Sequence, residues 1–350
     1  MQLLLLGAAV AAVVWAALFP LRRQLVRWEM IDRPNVRSSH VEPTPRGGGL
    51  AIVCAVLLGV LLWRALSMAL PSRSVGAFVL LGGAIAAIGW IDDRRPLSAR
   101  IRLLVQLLVA IGAIKAFGYI ASIWLPFVGS LHLGWFGIPL TLLWIVGLTN
   151  AYNFMDGIDG LAAGQAVIAG LCWVLVTGGD SRILSGVLGL LVTAASFGFL
   201  LHNWPPARIF MGDVASGFLG FTFAILALPG MAGDAYSDRM LIVGALFVGL
   251  FVGDATLTFA RRLRNGERVF DAHRSHLYQR LTPSKSMHRP VTILYLALAV
   301  MSAGCGFAYL RGTDSVAAIS IVVAVLALCA LAVSVHRTTR PRAAENGPSR

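Results

Sequence analysis

The sequence predicts an all-α, polytopic integral membrane protein with about 11 transmembrane helices (10 or 11). The chain of 350 residues is 57% hydrophobic and only 13% charged, and its mean hydropathy is +0.78. Apolar runs near 20 residues recur along it, and each is long enough to cross roughly 30 Å of hydrocarbon. These runs are continuous and do not alternate with polar residues, which favours helices over a closed β-barrel.

Eleven spans are predicted from these runs, with boundaries accurate to several residues. They lie at roughly 2–20, 48–64, 75–91, 102–119, 134–150, 160–177, 183–201, 215–231, 240–260, 291–310 and 315–335. We expect residues 1–336 to form one transmembrane domain and residues 337–350 to form a basic, disordered cytoplasmic tail. No internal repeat or soluble domain is evident.

The first apolar run, Met1–Pro20, has no basic residue before it, and Arg22 and Arg23 follow it. A secretory signal has the opposite order, so we expect a retained helix with its N-terminus outside. The cysteines all lie in apolar runs and none forms a CxxC pair, which indicates small core side chains instead of disulfides or a zinc site. They are Cys54, Cys172, Cys305 and Cys329.

The basic residues behind the formal net charge of +13 are divided unequally between the two predicted sides of the membrane. With the N-terminus outside, 23 of the 29 Lys and Arg residues fall in segments on the inner side. The positive-inside rule therefore predicts a cytoplasmic C-terminus and assigns the charge to anionic lipid headgroups or an anionic substrate. No nucleic-acid motif is present, so nucleic acid is not an expected partner.

The stretch Thr149–Gly160 carries Asn150, Asn153, Asp156 and Asp159, spaced three apart between two apolar runs. On a helix this spacing keeps the side chains near one face, and the glycines within the stretch predict a break among the carboxylates. A polar turn between two membrane helices is the alternative, but it needs no aspartates. Two amides and two carboxylates at a membrane boundary favour a hard cation and a phosphate-bearing substrate.

Two other predicted inner loops carry aspartates at a membrane edge. Asp92 and Asp93 directly follow a span, and Asp213 precedes one in a Gly-Asp step. Small residues after Asp213 would let helices pack closely around it. A salt-bridged helix connection would explain the neighbouring arginines, but it does not explain two adjacent carboxylates, which repel each other without a cation.

The first inner loop places Arg46 directly before Gly47–Gly49. A guanidinium and free backbone N–H groups at a helix N-terminus would suit a phosphate. A basic juxtamembrane anchor is the equally weighted alternative, because a glycine triplet alone is a weak signal.

The longest predicted inner loop, at 261–290, carries His273, His276 and Arg280. The HxxH spacing could suggest zinc, but neither HExxH nor cysteine ligands accompany it, so phosphate binding by a basic loop is favoured. Asp254, within the preceding apolar run, is expected to neutralise a neighbouring basic group.

All these groups fall on the predicted cytoplasmic side, so a site built from four or five inner loops follows. A secondary transporter with an intramembrane acidic ion site is the alternative from another class, and it predicts carboxylates near the bilayer midplane. A CDP-alcohol phosphotransferase is a second enzymatic alternative, but its DGxxAR core is absent.

The chain resembles the polyprenyl-phosphate N-acetylhexosamine-1-phosphate transferases, the MraY/WecA family, from Asp32 to Leu281. The resemblance rests on DRPNVRSSHVEPTPRGGG, IDDRRPLSARIR, NAYNFMDGIDGLAAG and FMGDVASGFLGF in the family order. It implies transfer of a sugar 1-phosphate from a UDP-N-acetylhexosamine to undecaprenyl phosphate, with release of UMP and with Mg²⁺ or Mn²⁺. It further implies a multi-pass protein of the bacterial inner membrane. A homodimer is included among the expected partners. The HRSHLYQRL form looks like the branch that initiates O-antigen or related surface polysaccharides.

The resemblance also implies residue roles. Catalytic roles fall on Asp92, Asp93, Asp156 and Asp159, and metal binding falls on Asp156 and Asp213. Substrate binding is expected of Arg46, Arg102, Asn150, Asn153, His273, His276 and Arg280. The histidine motif departs from the family, since many relatives have a His-x-His-His cluster where this chain has His276-Leu277-Tyr278-Gln279.

The negative charges of the two expected substrates imply that catalysis depends mainly on electrostatic stabilisation. Both substrates carry phosphate, so a divalent ion and basic side chains would neutralise the diphosphate and the departing UMP. Direct attack by the lipid phosphate, helped by Asp92, and an aspartyl intermediate both remain open.

Overall fold

The structure, a computed structural model, describes residues 2–32, 43–180, 182–232, 238–267 and 274–338. Helices make up most of this part of the chain, and its only strands within these ranges form two short antiparallel hairpins. The predicted all-α, polytopic membrane class is therefore confirmed. His273 and residues 339–350 of the expected tail lie outside the described residues.

The described part of the chain up to residue 226 contains eight helices of three or more turns. They are α1 (Gln2–Arg27), α2 (Leu50–Ser67), α3 (Ser72–Arg94), α4 (Ala99–Phe117), α5 (Gly137–Phe154), α6 (Leu161–Val176), α7 (Leu184–Asn203) and α8 (Asp213–Leu226). Two hairpins lie between them: β1 (Ile31–Asp32) with β2 (Thr44–Pro45), and β3 (Ser122–Leu125) with β4 (Gly129–His132). A 3₁₀ turn, Gly134–Phe136, leads into α5.

The described part of the chain after residue 226 continues with shorter and then longer helices. They are α9 (Pro229–Ala232), α10 (Met240–Phe247), α11 (Gly249–Arg264), α12 (Leu277–Leu281), α13 (His288–Arg311) and α14 (Asp314–Thr338), with a 3₁₀ turn at Lys285–Met287.

Every one of the eleven predicted spans coincides with a helix or a pair of helices. Seven helices of the described part are long and apolar enough to cross a membrane, or eight if α10 and α11 form one broken span. Two shorter apolar helices, Leu161–Val176 and Asp213–Leu226, add to these. The chain is thus a multi-pass membrane protein, and the exact number of crossings stays a prediction.

Helix α8 occupies the middle of the bundle, and all its residues after Asp213 are buried. Glycines let its neighbours approach closely. A Cβ at Gly89 of α3 would meet the carbonyl of Asp213 at 2.3 Å, and one at Gly220 would meet the carbonyl of Leu148 on α5 at 2.7 Å. These close approaches bring the ends of α3, α5 and α8 together at one end of the bundle.

The α10–α11 pair bends by 85° at Val248. Breaking a helix leaves carbonyls without partners, which is costly in a membrane. The carbonyl of Leu246 accepts a hydrogen bond from the Ser302 hydroxyl at 2.6 Å, and that of Phe247 accepts one from the Gln165 amide at 2.8 Å. These side chains make the bend a stable feature of the fold.

The β3–β4 hairpin was not predicted, because the segment between the fourth and fifth spans looked like an ordinary outer loop. Arg239 lies over the Trp124 ring at 3.5 Å and donates to the carbonyls of Tyr309 and Leu310. The hairpin is therefore tied to α13 at the end of the bundle opposite the carboxylates.

Candidate active site

Arg46 is positioned by short backbone pairings. Its N–H donates to the carbonyl of Met30 at 2.9 Å, directly beyond the β1–β2 hairpin. Arg46 also forms a parallel bridge with Phe210, whose N–H donates to Pro45. These bonds join the loop before α2 to the loop before α8, so Arg46 lies beside the start of α8.

The glycines after Arg46 serve this close approach. Gly47 has φ +99°, and a Cβ at Gly49 would meet the Cβ of Ala215 at 2.3 Å. The N–H groups of Gly48 and Gly49 donate to the carbonyls of Phe210 and Met211. The expectation that these N–H groups are free for phosphate is therefore wrong, because they hold the loop against α8.

Asp93 joins α3 to α8. Its carboxylate accepts hydrogen bonds from the backbone N–H groups of Asp213 and Val214 at 2.9 and 3.0 Å. Gly212 has φ +79°, and a Cβ there would meet a carboxylate oxygen of Asp93 at 2.5 Å. The Gly-Asp step thus exists because Asp93 caps the N-terminus of α8, where exposed N–H groups favour an anion.

Two arginines meet Asp213. Arg46 contacts Asp93 through Nε at 2.8 Å and Asp213 through Nη2. Arg102 contacts Asp92 at 2.8 Å and Asp213 at 3.5 Å, in both cases through Nη1. The side chains of Arg46 and Arg102 remain 38% and 32% exposed, so both can reach a ligand from outside.

Asp92 and Asp213 share a donor, because Nη1 of Arg102 contacts both carboxylates. Two neighbouring carboxylates repel unless a proton or a cation compensates. Asp92 is held in place by the N–H of Leu97, which donates to it at 2.6 Å. The pair is therefore fixed in a position that favours binding of positive charge.

The stretch 149–160 divides where α5 ends at Phe154 and α6 begins at Leu161, as the glycines predict. Asn153 donates to Asp213 at 3.2 Å, and the Ser216 hydroxyl donates to Asn153. Asn150, one turn earlier, exchanges hydrogen bonds with Gln106 of α4. The structure thus brings Asn153 to the cluster and places Asn150 against a neighbouring helix.

Asp156, in the loop after α5, faces the same cluster. Burial raises the pKa of Asp156 well above its usual value, and the nearby charges of Asp213 and Asp93 raise it further. Arg46 and the N–H of Gly212 act in the opposite direction. An ionised Asp156 is therefore unfavourable unless positive charge is added.

The carboxylate of Asp159 contacts residues outside this cluster. Its carboxylate contacts His288 Nδ1 at 3.1 Å and accepts a hydrogen bond from the N–H of Ala207 at 2.9 Å. Although burial opposes it, the hydrogen bond with His288 lowers the pKa of Asp159 below its usual value. These contacts tie the α5–α6 loop to the α7–α8 loop and to the start of α13. In this structure Asp159 supports the loop and does not join the cluster.

Asp254, on α11, organises the segment that carries His276. Its fully buried carboxylate accepts hydrogen bonds from the backbone N–H groups of Leu277 and Tyr278 at 2.9 and 3.1 Å, and from the Tyr295 hydroxyl at 2.9 Å. His276 Nδ1 lies 3.2 Å from the same carboxylate. Sequence reasoning missed this role, because the partners are more than 20 residues away.

The residues that depart from the family histidine motif have structural contacts. The Gln279 side chain accepts a hydrogen bond from the N–H of His276 at 3.3 Å, at the start of α12. The Tyr278 hydroxyl donates to the carbonyl of Phe154 at 2.8 Å, and a Cβ at Gly157 would meet that hydroxyl at 2.0 Å. The segment therefore packs against the loop that carries Asp156.

His276 itself is buried, and its contacts include Asp254, Gln279, Phe154 and Tyr278. Arg280 lies one turn later on α12, is half-buried, and donates its backbone N–H to the carbonyl of His276. Their expected contact with phosphate stays a prediction.

The oxygen donors of the cluster fit a Mg²⁺ or Mn²⁺ ion. Asp92, Asp156, Asp213 and Asn153 supply carboxylate and amide oxygens, the ligands that such ions prefer. Within the described residues, no group of three or more His, Cys, Asp or Glu side chains is arranged to hold a metal ion by itself. Mg²⁺ commonly uses only one or two carboxylates together with substrate phosphates, so the donor set is sufficient.

A cavity of about 640 Å³ opens beside the cluster. The residues that line it include Arg46 and Asp93 of the cluster, together with Trp28, Trp90 and Arg94. Its volume falls within the range of small-molecule sites. A ligand that enters here reaches the cluster from the end of the bundle.

The fold and this cluster define a class: a polytopic helical membrane protein that gathers arginines and carboxylates at one end of its bundle. Comparison with known proteins agrees. The family model described as "Glycosyl transferase family 4" matches residues 75–231. The matched region includes the cluster residues of α3, α5 and α8.

Curated relatives extend this match over most of the chain. A probable undecaprenyl-phosphate N-acetylglucosaminyl 1-phosphate transferase of Bacillus subtilis is 37% identical over 79% of this chain and 76% of the relative. A decaprenyl-phosphate N-acetylglucosaminephosphotransferase of Mycobacterium tuberculosis is 33% identical over 92% of this chain and 87% of the relative. A phospho-N-acetylmuramoyl-pentapeptide-transferase of Chlamydia muridarum is 35% identical over 63% of this chain and 69% of the relative. The chain belongs to the MraY/WecA family, glycosyl transferase family 4.

Proposed function

We propose that this protein transfers a sugar 1-phosphate of the N-acetylhexosamine type from a UDP-sugar to undecaprenyl phosphate and releases UMP. One observation carries the proposal: Asp213 forms ion pairs with Arg46 and Arg102, and Arg102 also pairs with Asp92. Together with Asn153 and Asp156, these residues gather both signs of charge at one point. That arrangement suits a reaction in which one phosphate attacks another.

In the proposed reaction, an oxygen of the lipid phosphate forms a bond to the sugar-bearing phosphorus. The bond from that phosphorus to the bridging oxygen breaks, and UMP leaves with the electron pair. The barrier is largely electrostatic, because anion approaches anion. Residues that hold both phosphates in line and take up negative charge therefore supply most of the rate enhancement.

Arg46 and Arg102 are the proposed phosphate ligands. The described ion pairs use Nε and Nη2 of Arg46 and Nη1 of Arg102. Each guanidinium has five N–H donors, so donors remain on both for an anionic substrate. The carboxylates that hold these arginines keep them oriented before the substrate arrives.

Asp156 and Asp213 are the proposed ligands of Mg²⁺ or Mn²⁺, which would supply positive charge to the diphosphate and the leaving UMP. Asp93 positions Arg46 and the start of α8 through the hydrogen bonds described above. Direct attack by the lipid phosphate and an aspartyl intermediate both remain compatible with this arrangement.

The sugar proposed first is N-acetylglucosamine. Of the three relatives described above, the two named for N-acetylglucosamine match more of this chain than the muramoyl-pentapeptide transferase does. The O-antigen branch, the bacterial inner membrane and a homodimer stay predictions.

The test is an assay of purified protein with a panel of UDP-sugars and undecaprenyl phosphate, with UMP and the lipid product as readouts. We expect UMP release that requires the lipid phosphate, is highest with UDP-N-acetylglucosamine and stops in EDTA. A matched control is Asp314→Asn, an exposed carboxylate outside the cluster. No UMP release with any UDP-sugar, together with cation uptake into vesicles, would favour the transporter instead.

We further propose that the cluster faces the cytoplasm, because the basic residues concentrate at that end. In a cysteine-free background, a cysteine at Ser98 should resist an impermeant thiol reagent in intact cells, and one at Thr313 should react. These positions lie at opposite ends of the bundle, before α4 and between α13 and α14. Labelling at Ser98 only would reverse the orientation.

A further inference from the structure

A second cavity lies between the C-terminal turns of α1 and α7. It has a volume of about 200 Å³ and is lined by Leu18, Phe19, Arg22, Arg23 and His202. None of these residues lines the larger cavity. The neighbouring Asn203 accepts a hydrogen bond from the N–H of Gly160, so this cavity opens at the end of the bundle that carries the carboxylate cluster.

The titratable side chains at this cavity are arginines and one histidine, and none of them is acidic. Arg22 and Arg23 are exposed, and Arg208 is held beside the cavity because its N–H donates to the carbonyl of His202 at 2.9 Å. No ion pair within the described part of the chain involves any of the three arginines. Cations without counter-charges at a membrane boundary attract anions.

The neighbouring surface is apolar and aromatic. The ring of Phe19 contacts His202 edge-on at 4.8 Å, and His202 Nε2 donates to the carbonyl of Trp15 at 3.1 Å. Phe19 and Trp15 are themselves about half exposed, as are Phe197 and Leu201 on α7. A ligand of this site therefore has an anionic head at the arginines and apolar chains along the helices.

The volume of the cavity limits the size of the anionic headgroup that it can hold. Its volume is smaller than the 300–1,000 Å³ that is common for small-molecule sites, so a nucleotide sugar does not fit. A phosphodiester headgroup does fit. We propose that this cavity binds the headgroup phosphate of an anionic membrane phospholipid. Arg22 and Arg23 are the proposed charged donors, and His202 lines the cavity beside them.

The test is native mass spectrometry of the purified full-length protein, titrated with phosphatidylglycerol in detergent. The variant carries Arg22→Gln and Arg23→Gln, and the charge-matched control carries Arg27→Gln and Arg337→Gln. The control removes two exposed basic residues from the same end of the bundle, outside the cavity. We expect the variant to bind phosphatidylglycerol at least about tenfold more weakly, because charge-assisted hydrogen bonds are lost. The control should stay within about threefold of the wild type.

Three further ligands distinguish the sources of phosphate. Phosphatidylcholine and inorganic phosphate should bind at least about tenfold more weakly than phosphatidylglycerol, since the first has no net charge and the second has no chains. Equal binding of phosphatidylcholine, equal binding of inorganic phosphate, or selective loss of undecaprenyl phosphate in the variant would each overturn the proposal. Equal loss in the variant and the control would also overturn it.

A second measurement needs no variant. A photoactivatable phosphatidylglycerol, bound to the wild-type protein and illuminated, should label the peptides that contain Phe19 and His202. Labelling spread evenly over the lipid-facing helices, with no excess at these peptides, would contradict a site.

Discussion

Two acidic centres at the same end of the bundle differ in how their charge is compensated. In the carboxylate cluster, Asp92, Asp93 and Asp213 come from two helices and share Arg46 and Arg102. At the other centre, Asp254 alone accepts hydrogen bonds from two backbone N–H groups, a tyrosine and a threonine, and it contacts His276. The first centre has three carboxylates for two arginines, whereas the second has a single carboxylate that receives all its hydrogen bonds alone.

This difference separates a reactive site from a structural one. A carboxylate surrounded by donors is satisfied, so its removal leaves buried donors without partners. Several carboxylates gathered at one point repel one another, so they favour a cation, and their neutralisation relieves repulsion. Substitutions at the two centres should therefore separate activity from stability.

The largest effect is expected from Asp213→Asn. The substitution keeps the size of the side chain but removes the charge that holds both arginines and balances a metal ion. We expect UMP release to fall by about a hundred- to a thousand-fold, as for loss of a central electrostatic group. The protein should still insert and purify normally. UMP release with more than a tenth of wild-type activity would remove Asp213 from the reaction.

Asp254→Asn should act mainly on stability. An amide cannot accept all the hydrogen bonds that the carboxylate accepts, and each buried donor left unsatisfied costs about 1–3 kcal/mol. We expect a clear fall in the melting temperature and loss of activity only through the displaced His276 segment. Thr258→Val is the matched control, because it removes a single hydrogen bond to the same carboxylate, worth about 1 kcal/mol. Equal melting of Asp254→Asn and the wild type would show that this centre is not structural.

The smallest expected effect is a higher melting temperature, and it is expected for Asp156→Asn. Burial raises the pKa of Asp156, so its protonated form stabilises the fold at low pH, and this contribution is lost as pH rises through the raised pKa. Without metal, Asp156→Asn should therefore melt a few degrees above the wild type near pH 8, and this gain should shrink near pH 5. The check is a pair of thermal melts in EDTA. A lower melting temperature near pH 8 would contradict the raised pKa.

Much of the carboxylate cluster could be predicted because each of its motifs borders a span at the same end of the bundle. Asp92, Asp93 and Asp213 lie at helix ends, where topology alone places them near one another. Small residues at Ala215 and Ser216 indicated close packing around Asp213, and the contact of Ala215 with Gly49 confirms it.

The spacing inside one motif was less informative. Asn150, Asn153, Asp156 and Asp159 recur every third residue, but α5 ends at Phe154, so the helical spacing no longer applies to the two aspartates. Asp159 consequently pairs with His288, 129 residues along the chain. No local pattern predicts such a contact, and the same holds for Asp254 with its partners on α12 and α13.

The central claim is that a divalent ion binds at the carboxylate cluster. Its most direct test is a Mn²⁺ titration of the purified protein, followed by electron paramagnetic resonance with UDP-N-acetylglucosamine present. The wild type and the exposed-carboxylate control Asp314→Asn should bind one Mn²⁺ ion, and Asp213→Asn should bind it at least about tenfold more weakly. Equal Mn²⁺ binding by Asp213→Asn and the wild type would contradict the claim.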